Sequence, residues 1–308
     1  MGAQLRLVRR RIRTVQSTAK ITRAQELIAS SRIIKAQQRA HDAEPYAREL
    51  TAAVEAVVSR SSQIDHPLTT ERANPTRAAV LILTSDRGFC GGYNTSVLRE
   101  AQGLRMLLEE QGVESVPYVA GRKGITWHRF RQREMGGEWS GFSDTPSNAN
   151  ASEITAALLE AFERPAMKGE GEVGGGVDEI HLVHTEFVSM LTQRPVIRRI
   201  LPLEIEETTE APPSGTLPLY EFEPSPEDVL NALLPWYVES RIFAALLDSA
   251  AAEIAARRRA MKSATDNANE LLDQLTLEAN KARQAEITQE ISEIVGGANA
   301  LAESITGR

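Results

Sequence analysis

Cysteine is nearly absent from this sequence, since Cys90 is the only one among 308 residues. A single cysteine cannot form a disulfide within the chain or a cysteine-based metal site, and it suits a reducing compartment. Aromatic residues make up only 5% of the chain, so we expect part of it to pack outside one large core. No run of 18 apolar residues is present, which argues against a membrane-spanning helix, and we expect no secretory signal.

Glycine and proline are missing from two long stretches, one near each end of the chain. Neither residue occurs from Ala3 to Glu44 or from Trp236 to Val295. A helix over the second stretch would be roughly 90 Å long, at a rise of about 1.5 Å per residue. Uninterrupted patterns of this length are typical of coiled coils, membrane spans or helical repeats.

Apolar residues in both stretches recur with alternating steps of three and four residues, which is the seam of a coiled coil. The two series are Leu5, Val8, Ile12, Val15 and Ala19 near the N-terminus, and Met261, Ala264, Ala268, Leu271 and Leu275 near the C-terminus. We predict that the two terminal helices pair antiparallel within the chain, because this arrangement buries both seams in the simplest way.

Pro45 and Pro235 suggest how the two helices align. If both prolines mark the base of the coil, the numbers of facing residues add up to about 280. The residues then expected to pack together are Leu271 and Leu275 with Leu5, Val8 and Ile12. Beyond about residue 279 the C-terminal helix would have no partner in the chain. The stretch 282–300, ARQAEITQEISEIVGGANA, would therefore be held by another protein.

The middle of the chain has the alternating pattern of an open α/β (Rossmann-like) sheet. Strands are predicted at 78–86, 114–121, 178–187 and 196–205, and helices at 95–112, 121–131 and 150–163. The Gly/Glu-rich stretch 167–179 is predicted to be a flexible loop. The predicted fold class is thus α/β, with an antiparallel coiled coil and an inserted α/β domain. The expected domains are the N-terminal helix at 1–66, the α/β domain at 77–207, a Pro-rich connection at 208–226 and the C-terminal helix at 227–308.

The stretch 85–94, SDRGFCGGYN, is the candidate for chemistry in the α/β domain, because its glycines follow a strand and precede a helix. Phosphate-binding loops have this placement, but neither G-x-x-x-x-G-K-[ST] nor G-x-G-x-x-G matches. The alternative interpretation is a tight turn with Cys90 as a small buried residue and Asn94 near the start of the helix. The residues of this motif are Asp86, Arg87, Gly88, Cys90, Gly91 and Asn94.

His181 and His184 look like a metal-binding pair, but an odd separation on a strand places them on opposite faces of the sheet. We therefore predict no metal site, no bound cofactor and no catalytic residue in this chain.

The N-terminal stretch is strongly basic within an acidic protein. Residues 1–40 carry a net charge of +9, whereas the whole chain carries −7. A basic stretch of this kind indicates nucleic acid, anionic lipid or an acidic protein surface as partner, or simply a solvated helix face. The nucleic-acid interpretation is weakened by the absence of aromatic residues for base stacking in this stretch.

Several segments resemble the ATP synthase gamma chain family, the central rotor shaft of F-type ATP synthases. ITQEISEIVGGANA (287–300) resembles the family's C-terminal signature, and KITRAQELIASSRIIKAQ (20–37) is similar to its N-terminal counterpart. SDRGFCGGYN resembles the family's motif in the middle domain. AMKSATDNANELL (260–272) and LYEFEPSPEDVLNALLPWYVESRIF (219–243) are also similar to family segments. The resemblance extends over essentially the whole chain.

This resemblance implies a non-catalytic subunit without cofactors, located peripherally on the cytoplasmic face of the bacterial plasma membrane. Its coiled coil would turn inside a ring of alpha and beta subunits, and its α/β domain would contact the epsilon subunit and the membrane c ring. Proton flow through the c ring would drive rotation, and ATP would form in beta. The chain would meet the membrane only through the complex and would bind no nucleic acid.

The resemblance also assigns contact residues, matched position by position. Contacts with the alpha/beta ring are expected from Arg283, Gln284, Thr288 and Glu290. A basic collar facing an acidic loop of beta is expected from Lys20, Thr22, Arg23, Arg257, Arg258, Arg259 and Lys262. Gln25 and Ile28 depart from the family pattern, where Met and Val are expected. The loop at 167–179 is longer than is usual for the family.

Two other interpretations are weighed against the rotor. A coiled coil that binds nucleic acid through residues 1–40 would show DNA affinity that falls steeply with salt. A small-molecule enzyme on the α/β domain would hold a ligand in the 85–94 loop.

Overall fold

The computed structural model describes residues 2–60, 72, 74–164, 167–168, 172–173, 175–203, 223 and 225–306. Its helices are α1 (Gly2–Arg60), α2 (Tyr93–Glu110), α3 (Arg122–Phe130), α4 (Asn148–Glu163) and α5 (Pro226–Thr306). Its strands are β1 (Arg77–Leu83), β2 (Glu114–Ala120), β3 (Gly137–Trp139), β4 (Met167–Lys168), β5 (Glu172–Val173), β6 (Glu179–Phe187) and β7 (Gln193–Leu201). The chain divides into two compact units, Met1–Ile28 with Arg258–Arg308, and Ala29–Arg257.

The first unit, called here the coil unit, consists of the start of α1 and the end of α5. The predicted seam on α1 is confirmed, because Leu5, Val8 and Ala19 are buried, whereas Ile12 and Val15 are half-buried. The same spacing continues through Thr22 and Glu26, which are also buried. Polar side chains therefore occupy part of the seam, and the apolar pattern alone did not reveal them.

The predicted seam on α5 was wrong at one position. Met261, Ala268 and Leu275 are buried, but Leu271 is 37% exposed and Leu272 is half-buried in its place. Both leucines lie between Ala268 and Leu275, and either one completes a seven-residue repeat. Only the packing of the two helices decides which leucine turns inward.

The register of the coil also differs from the prediction. Thr265 Oγ1 donates a hydrogen bond of 2.8 Å to Thr22 Oγ1, so the two residue numbers add up to 287 rather than about 280. The difference is one heptad. The prediction assumed that Pro45 and Pro235 mark the base of the coil, but both helices continue through their prolines. Buried residues beyond Pro45, such as Val54 and Val57, offset the roughly 3 kcal/mol that an internal proline costs a helix.

The second unit, called here the α/β unit, is built on a five-stranded sheet with the order β3-β2-β1-β6-β7. The β1–β2, β1–β6 and β2–β3 pairs are parallel, and only the β6–β7 pair is antiparallel. The four predicted strands and three predicted helices are confirmed. The three-residue strand β3 was missed, because so short a segment has no periodicity to detect.

Helices cover both faces of this sheet. Alternate residues of β1, including Val80 and Ile82, pack with α2 and α3. The intervening residues, including Leu81 and Leu83, pack with α4, the C-terminal part of α1 and the first turns of α5. His181 and His184 follow this alternation and lie on opposite faces of β6, as predicted.

Two predicted segments are described only in part. The stretch predicted as a loop at 167–179 contains the small antiparallel pair β4–β5, and four of its residues are not described. Of the Pro-rich connection predicted at 208–226, only residues 223, 225 and 226 are described. Among the helices that the structure describes, none combines the length and apolarity needed to cross a membrane.

Candidate functional site

The C-terminal tip of α5 is the first candidate surface, and it is exposed on all sides. Every residue from 287 to 299 is exposed, whereas residues 279, 282 and 286 are still half-buried in the coil unit. This limit fits the register of 287, which places Ala285 opposite Gly2, the first residue of α1. The predicted projection of the tip beyond the coil is therefore seen in the structure, about one heptad later than expected.

The four residues expected to contact an alpha/beta ring all lie on exposed positions, namely Arg283, Gln284, Thr288 and Glu290. Thr288 Oγ1 donates to the carbonyl of Gln284 at 2.9 Å, within the helix itself. Sequence reasoning missed a narrow apolar line beside them. Ile287, Ile291 and Ile294 follow the four-three spacing of a seam, and their exposed fractions are 45%, 56% and 71%.

The predicted basic collar is only partly an exposed surface. Lys20, Arg23, Arg259 and Lys262 are exposed positions of the coil unit. Arg23 donates to Glu26 at 2.8 Å. The observed register places Arg23 opposite Ala264, two residues from Lys262, whereas a sum of 280 would place it opposite residue 257. Arg258 is half-buried.

Two members of the predicted collar do not belong to an exposed surface. Thr22 is buried in the seam, where it accepts the hydrogen bond from Thr265. Arg257 belongs to the α/β unit, and its side chain is only 12% exposed. Its guanidinium pairs with Glu253 at 2.6 Å. The assignment of Arg257 to the collar is therefore corrected, because the guanidinium is turned into its own unit.

The loop at 85–92, between β1 and α2, is the third candidate surface. The Asp86 carboxylate accepts hydrogen bonds from the backbone N–H groups of Arg122, Gly141 and Ser143, at 2.8–3.0 Å. These three residues lie in the segments that follow β2 and β3. Asp86 thus ties together three loops at the carboxyl edge of the sheet.

A second network closes the loop onto the start of α2. Asn94 Oδ1 accepts from the backbone N–H of Ser85 at 2.9 Å, and its Nδ2 lies 3.2 Å from Cys90 Sγ. Burial raises the pKa of the Cys90 thiol, so the neutral, poorly nucleophilic form is favoured. Cys90 is therefore the small buried residue of the alternative interpretation. Asn94 lies on the first turn of α2, although Gly92 is the residue that precedes the helix.

The same loop packs against α5. Cys90 and Tyr93 form an apolar cluster with Ala252 and Ala256, and Tyr93 Oη donates to the Ser249 carbonyl at 3.2 Å. Burial is also the main reason why the pKa of Tyr93 is raised. The carboxyl edge of a parallel sheet is where such folds usually bind ligands. Here that edge is occupied by a helix of the same chain.

Arg257 and Glu253 complete this contact. Arg257 Nε and Nη2 each lie 3.4 Å from a backbone carbonyl of the loop, those of Gly88 and Arg87 respectively. Burial raises the pKa of the Glu253 carboxyl, and the neighbouring Arg257 opposes that rise. Sequence reasoning missed Glu253. The available signal was a single acidic residue, four positions before an arginine, in the alanine-rich run SAAAEIAAR at 249–257.

The remaining space at the carboxyl edge is small. A cavity of about 10 Å³ lies between the ends of β1 and β2 and α5, lined in part by Thr84, Gly121 and Ser249. Gly121 has φ +104°, and a Cβ atom there would lie 2.1 Å from the Thr84 carbonyl oxygen. Glycine is thus required for this close approach. Within the described residues, no group of three or more His, Cys, Asp or Glu side chains could hold a metal ion.

Comparison with known proteins extends over nearly the whole chain. The sequence profile of a family described as ATP synthase matches residues 4–301. The chain is 61% identical to the ATP synthase gamma chain of Acidothermus cellulolyticus over 301 residues, which cover 98% of each chain. It is 59% identical to the ATP synthase gamma chain of Frankia casuarinae over 302 residues, which cover 98% of this chain and 99% of the relative.

Solved structures show the same fold. A chain from the Euglena gracilis mitochondrial ATP synthase, in a structure of OSCP, F1 and the c-ring, has a TM-score of 0.66 at 16% identity. The match covers 98% of the present chain and 95% of the Euglena chain. A chain from the Tetrahymena thermophila mitochondrial ATP synthase, in a structure of the central stalk and c-ring, has a TM-score of 0.58 at 20% identity and covers 79% of this chain and 99% of its own. The predicted fold class is therefore confirmed.

Proposed function

Since the chain belongs to the family of the ATP synthase gamma chains, we propose that it is the central stalk subunit of an F-type ATP synthase. In this role it rotates inside a ring of alpha and beta subunits. Rotation couples proton flow through the membrane c ring to ATP synthesis at beta. The coil unit and the tip of α5 face the ring, whereas the α/β unit binds the epsilon subunit and the c ring.

The observation that carries this proposal is the family match over residues 4–301. It includes the coil unit, the α/β unit and the C-terminal tip together, so it does not rest on one shared domain. The exposed tip supports it, because Ile287, Ile291 and Ile294 are exposed among the described residues and another protein would cover them.

We further propose that the chain itself catalyses no reaction. The 85–92 loop, which was the candidate for chemistry, is committed to internal contacts with α5. Its only thiol is buried, and its carboxylate at Asp86 is used in three backbone hydrogen bonds. On this proposal the chain acts on catalysis only by biasing the conformations of the beta subunits as it turns.

The proposed location is the cytoplasmic face of a bacterial plasma membrane, where the chain is held only through the complex. The single cysteine suits the reducing conditions of that compartment. The proposed contacts with beta come from Arg283, Gln284, Thr288 and Glu290 at the tip. Lys20, Arg23, Arg259 and Lys262 are proposed to form an exposed basic collar.

Co-purification tests this function. The tagged chain is expressed in the cells that produce it, and membranes are solubilised in a mild detergent. We expect alpha, beta, epsilon and the c ring to elute with the chain, and ATPase activity to reside in the complex and not in the isolated chain. A chain that elutes without these subunits would refute the proposal. Protease treatment of inside-out vesicles, which expose the cytoplasmic face, tests the location.

A further inference from the structure

The contact between the 85–92 loop and α5 is built more stiffly than a turn requires. We call this contact the helix clamp and define it by Cys90 of the loop and Tyr93, the first residue of α2, on one side and by Ser249, Glu253 and Arg257 on the other. It combines an apolar cluster, a hydrogen bond from Tyr93 to the Ser249 carbonyl and the guanidinium of Arg257 facing two loop carbonyls. All of these residues belong to the α/β unit.

The loop side of the clamp cannot easily move. Asp86 fixes the loop to the segments after β2 and β3 through three backbone N–H groups. Ser85, at the start of the loop, donates two hydrogen bonds to Asn94 in the first turn of α2. A force applied to the loop is therefore transmitted to the sheet instead of being absorbed by the loop.

The helix side of the clamp contains a buried ion pair. Glu253 is 1% exposed, and its Oε1 accepts from Arg257 Nη2 at 2.6 Å. Burying such a pair contributes little net stability, whereas removal of one partner leaves the other charge buried without compensation. A pair of this kind fixes one arrangement of the surrounding groups in preference to others. Here both partners lie on α5, four residues apart, and the pair holds the Arg257 guanidinium beside the Gly88 and Arg87 carbonyls of the loop.

The clamp lies at the end of the α/β unit. Residue 257 is the last residue of α5 in this unit, and the following residue belongs to the coil unit. Under the proposed function, torque enters through the α/β unit and leaves through the coil. The clamp is then the last contact that prevents α5 from twisting or shifting against the sheet before the helix leaves the unit.

On the basis of the function proposed above, we propose that Arg257 is a positioning residue that locks α5 to the 85–92 loop, so that the α/β unit and the shaft helix turn together. Arg257 acts within its own chain and not as a contact to beta. The loop contributes backbone carbonyls to this lock, so substitution of its side chains cannot remove the contact, and Arg257 is the residue to change.

The first experiment compares Arg257→Gln with Arg99→Gln in the assembled, membrane-bound complex. Arg99 is an exposed arginine on α2 in the same unit, so its substitution makes the same charge change outside the clamp. We expect Arg257→Gln to hydrolyse ATP but to pump fewer protons for each ATP, while Arg99→Gln pumps like the parent. Unchanged pumping for each ATP in Arg257→Gln would overturn the proposal. Thermal unfolding of the free subunit checks that the variant is folded.

The second experiment replaces the lost contact between Arg257 and the loop by a covalent bond between the loop and α5. Ala252→Cys or Ala256→Cys is combined with Arg257→Gln, and diamide oxidises the new thiol and Cys90 to a disulfide, being itself reduced to the hydrazine. Both alanines share an apolar cluster with Cys90, which is the only native cysteine. We expect oxidation to restore proton pumping and reduction with dithiothreitol to abolish it again. The same chains with Cys90→Ser serve as controls that cannot form the bond.

The outcomes separate two failures. A disulfide that forms without restoring pumping would mean that Arg257 acts elsewhere, for example on beta, and would overturn the proposal. Absence of a disulfide at both positions would show that Cys90 does not pack on α5, which also overturns it. A parental chain that does not assemble with alpha, beta and the c ring would instead refute the proposed function.

Discussion

Thr265 donates a hydrogen bond from its hydroxyl to that of Thr22 across the seam of the coil, at 2.8 Å. The Thr22 hydroxyl in turn donates a hydrogen bond of 3.1 Å to the Ala19 carbonyl. Both threonines are buried, at 8% exposure each. A directional pair between two helices allows only one alignment, whereas apolar seams tolerate a shift by one heptad. We infer that this pair specifies the register of 287.

The first prediction concerns this pair. Thr22→Val and Thr265→Val should each lower the free energy of unfolding of the free subunit by about 1 kcal/mol, since one buried hydroxyl loses a partner. The double variant should lose less than the sum, because the hydrogen bond between the two hydroxyls can be lost only once. Urea unfolding measures these differences. Thr276→Val, at an exposed position, is the control. Fully additive losses would contradict a direct coupling between Thr22 and Thr265.

The second prediction distinguishes the two faces of α5 with two leucines four residues apart. Leu275 is 2% exposed and Leu271 is 37% exposed. Leu275→Ala should destabilise the free subunit by about 2–5 kcal/mol, because it leaves a cavity in the seam. Leu271→Ala should cost clearly less than Leu275→Ala, since more than a third of Leu271 is exposed already. Equal losses in thermal unfolding would show that the observed seam is wrong.

The third prediction concerns the tip. Gln284→Ala and Thr288→Ala should reduce the turnover of the assembled complex while leaving the free subunit folded, because both side chains lie on exposed positions of α5. Loss of a charge-assisted hydrogen bond to a partner would cost about 1.5–3 kcal/mol. The measurements are ATPase activity of the complex and thermal unfolding of the free chain. A destabilised free chain with normal turnover would mean that the tip packs on its own protein.

The fourth prediction concerns the basic collar. Neutralising Lys20, Arg23, Arg259 or Lys262 singly should have little effect, because exposed ion pairs contribute only about 0–1 kcal/mol each. Neutralising all four should impair rotation-linked ATPase activity, since the attraction to an acidic surface is lost as a whole. The assay is proton pumping by membrane vesicles. Normal coupling in the quadruple variant would leave the collar as a solvated face.

The fifth prediction concerns pH and Asp248 in the α/β unit. Burial, together with nearby Glu186, raises the pKa of Asp248 from 3.8 to about 6, although Arg198 opposes the rise. Because the pKa is raised in the folded state, protonated Asp248 favours the folded state. This contribution to stability is fully present below pH 3.8 and is lost as the pH rises through about 6.

Asp248→Asn should therefore stabilise the free chain at neutral pH and have little effect at pH 4. We expect a gain of about 1–2 kcal/mol, since one pKa unit corresponds to about 1.4 kcal/mol before allowance for partial exposure. Thermal unfolding from pH 4 to pH 8 measures it, with Asp266→Asn at an exposed position as the control. A gain that does not depend on pH would assign the effect to packing.

Local patterns in the sequence determined much of this protein. The absence of glycine and proline predicted both long helices, and the seven-residue repeat predicted their seams. Alternating strands and helices predicted the α/β unit and its four longer strands. These features follow from backbone geometry and from the period of apolar residues, which are local properties and can be read without the fold. The family resemblance of 287–300 and 20–37 also required only the residues themselves.

Only the tertiary structure decided the register of the coil, which of two leucines faces the seam, and where the Arg257 side chain points. A heptad repeat is unchanged by a shift of seven residues, so the seam pattern fits 280 and 287 equally well. Leu271 and Leu272 satisfy the same repeat, and the packing of the facing helix selects Leu272. Arg257 stands first in the run Arg257, Arg258 and Arg259, yet it faces Glu253 and the loop carbonyls. Charge patterning treats these three arginines alike, because side-chain direction depends on groups that are distant in sequence and meet only in the fold.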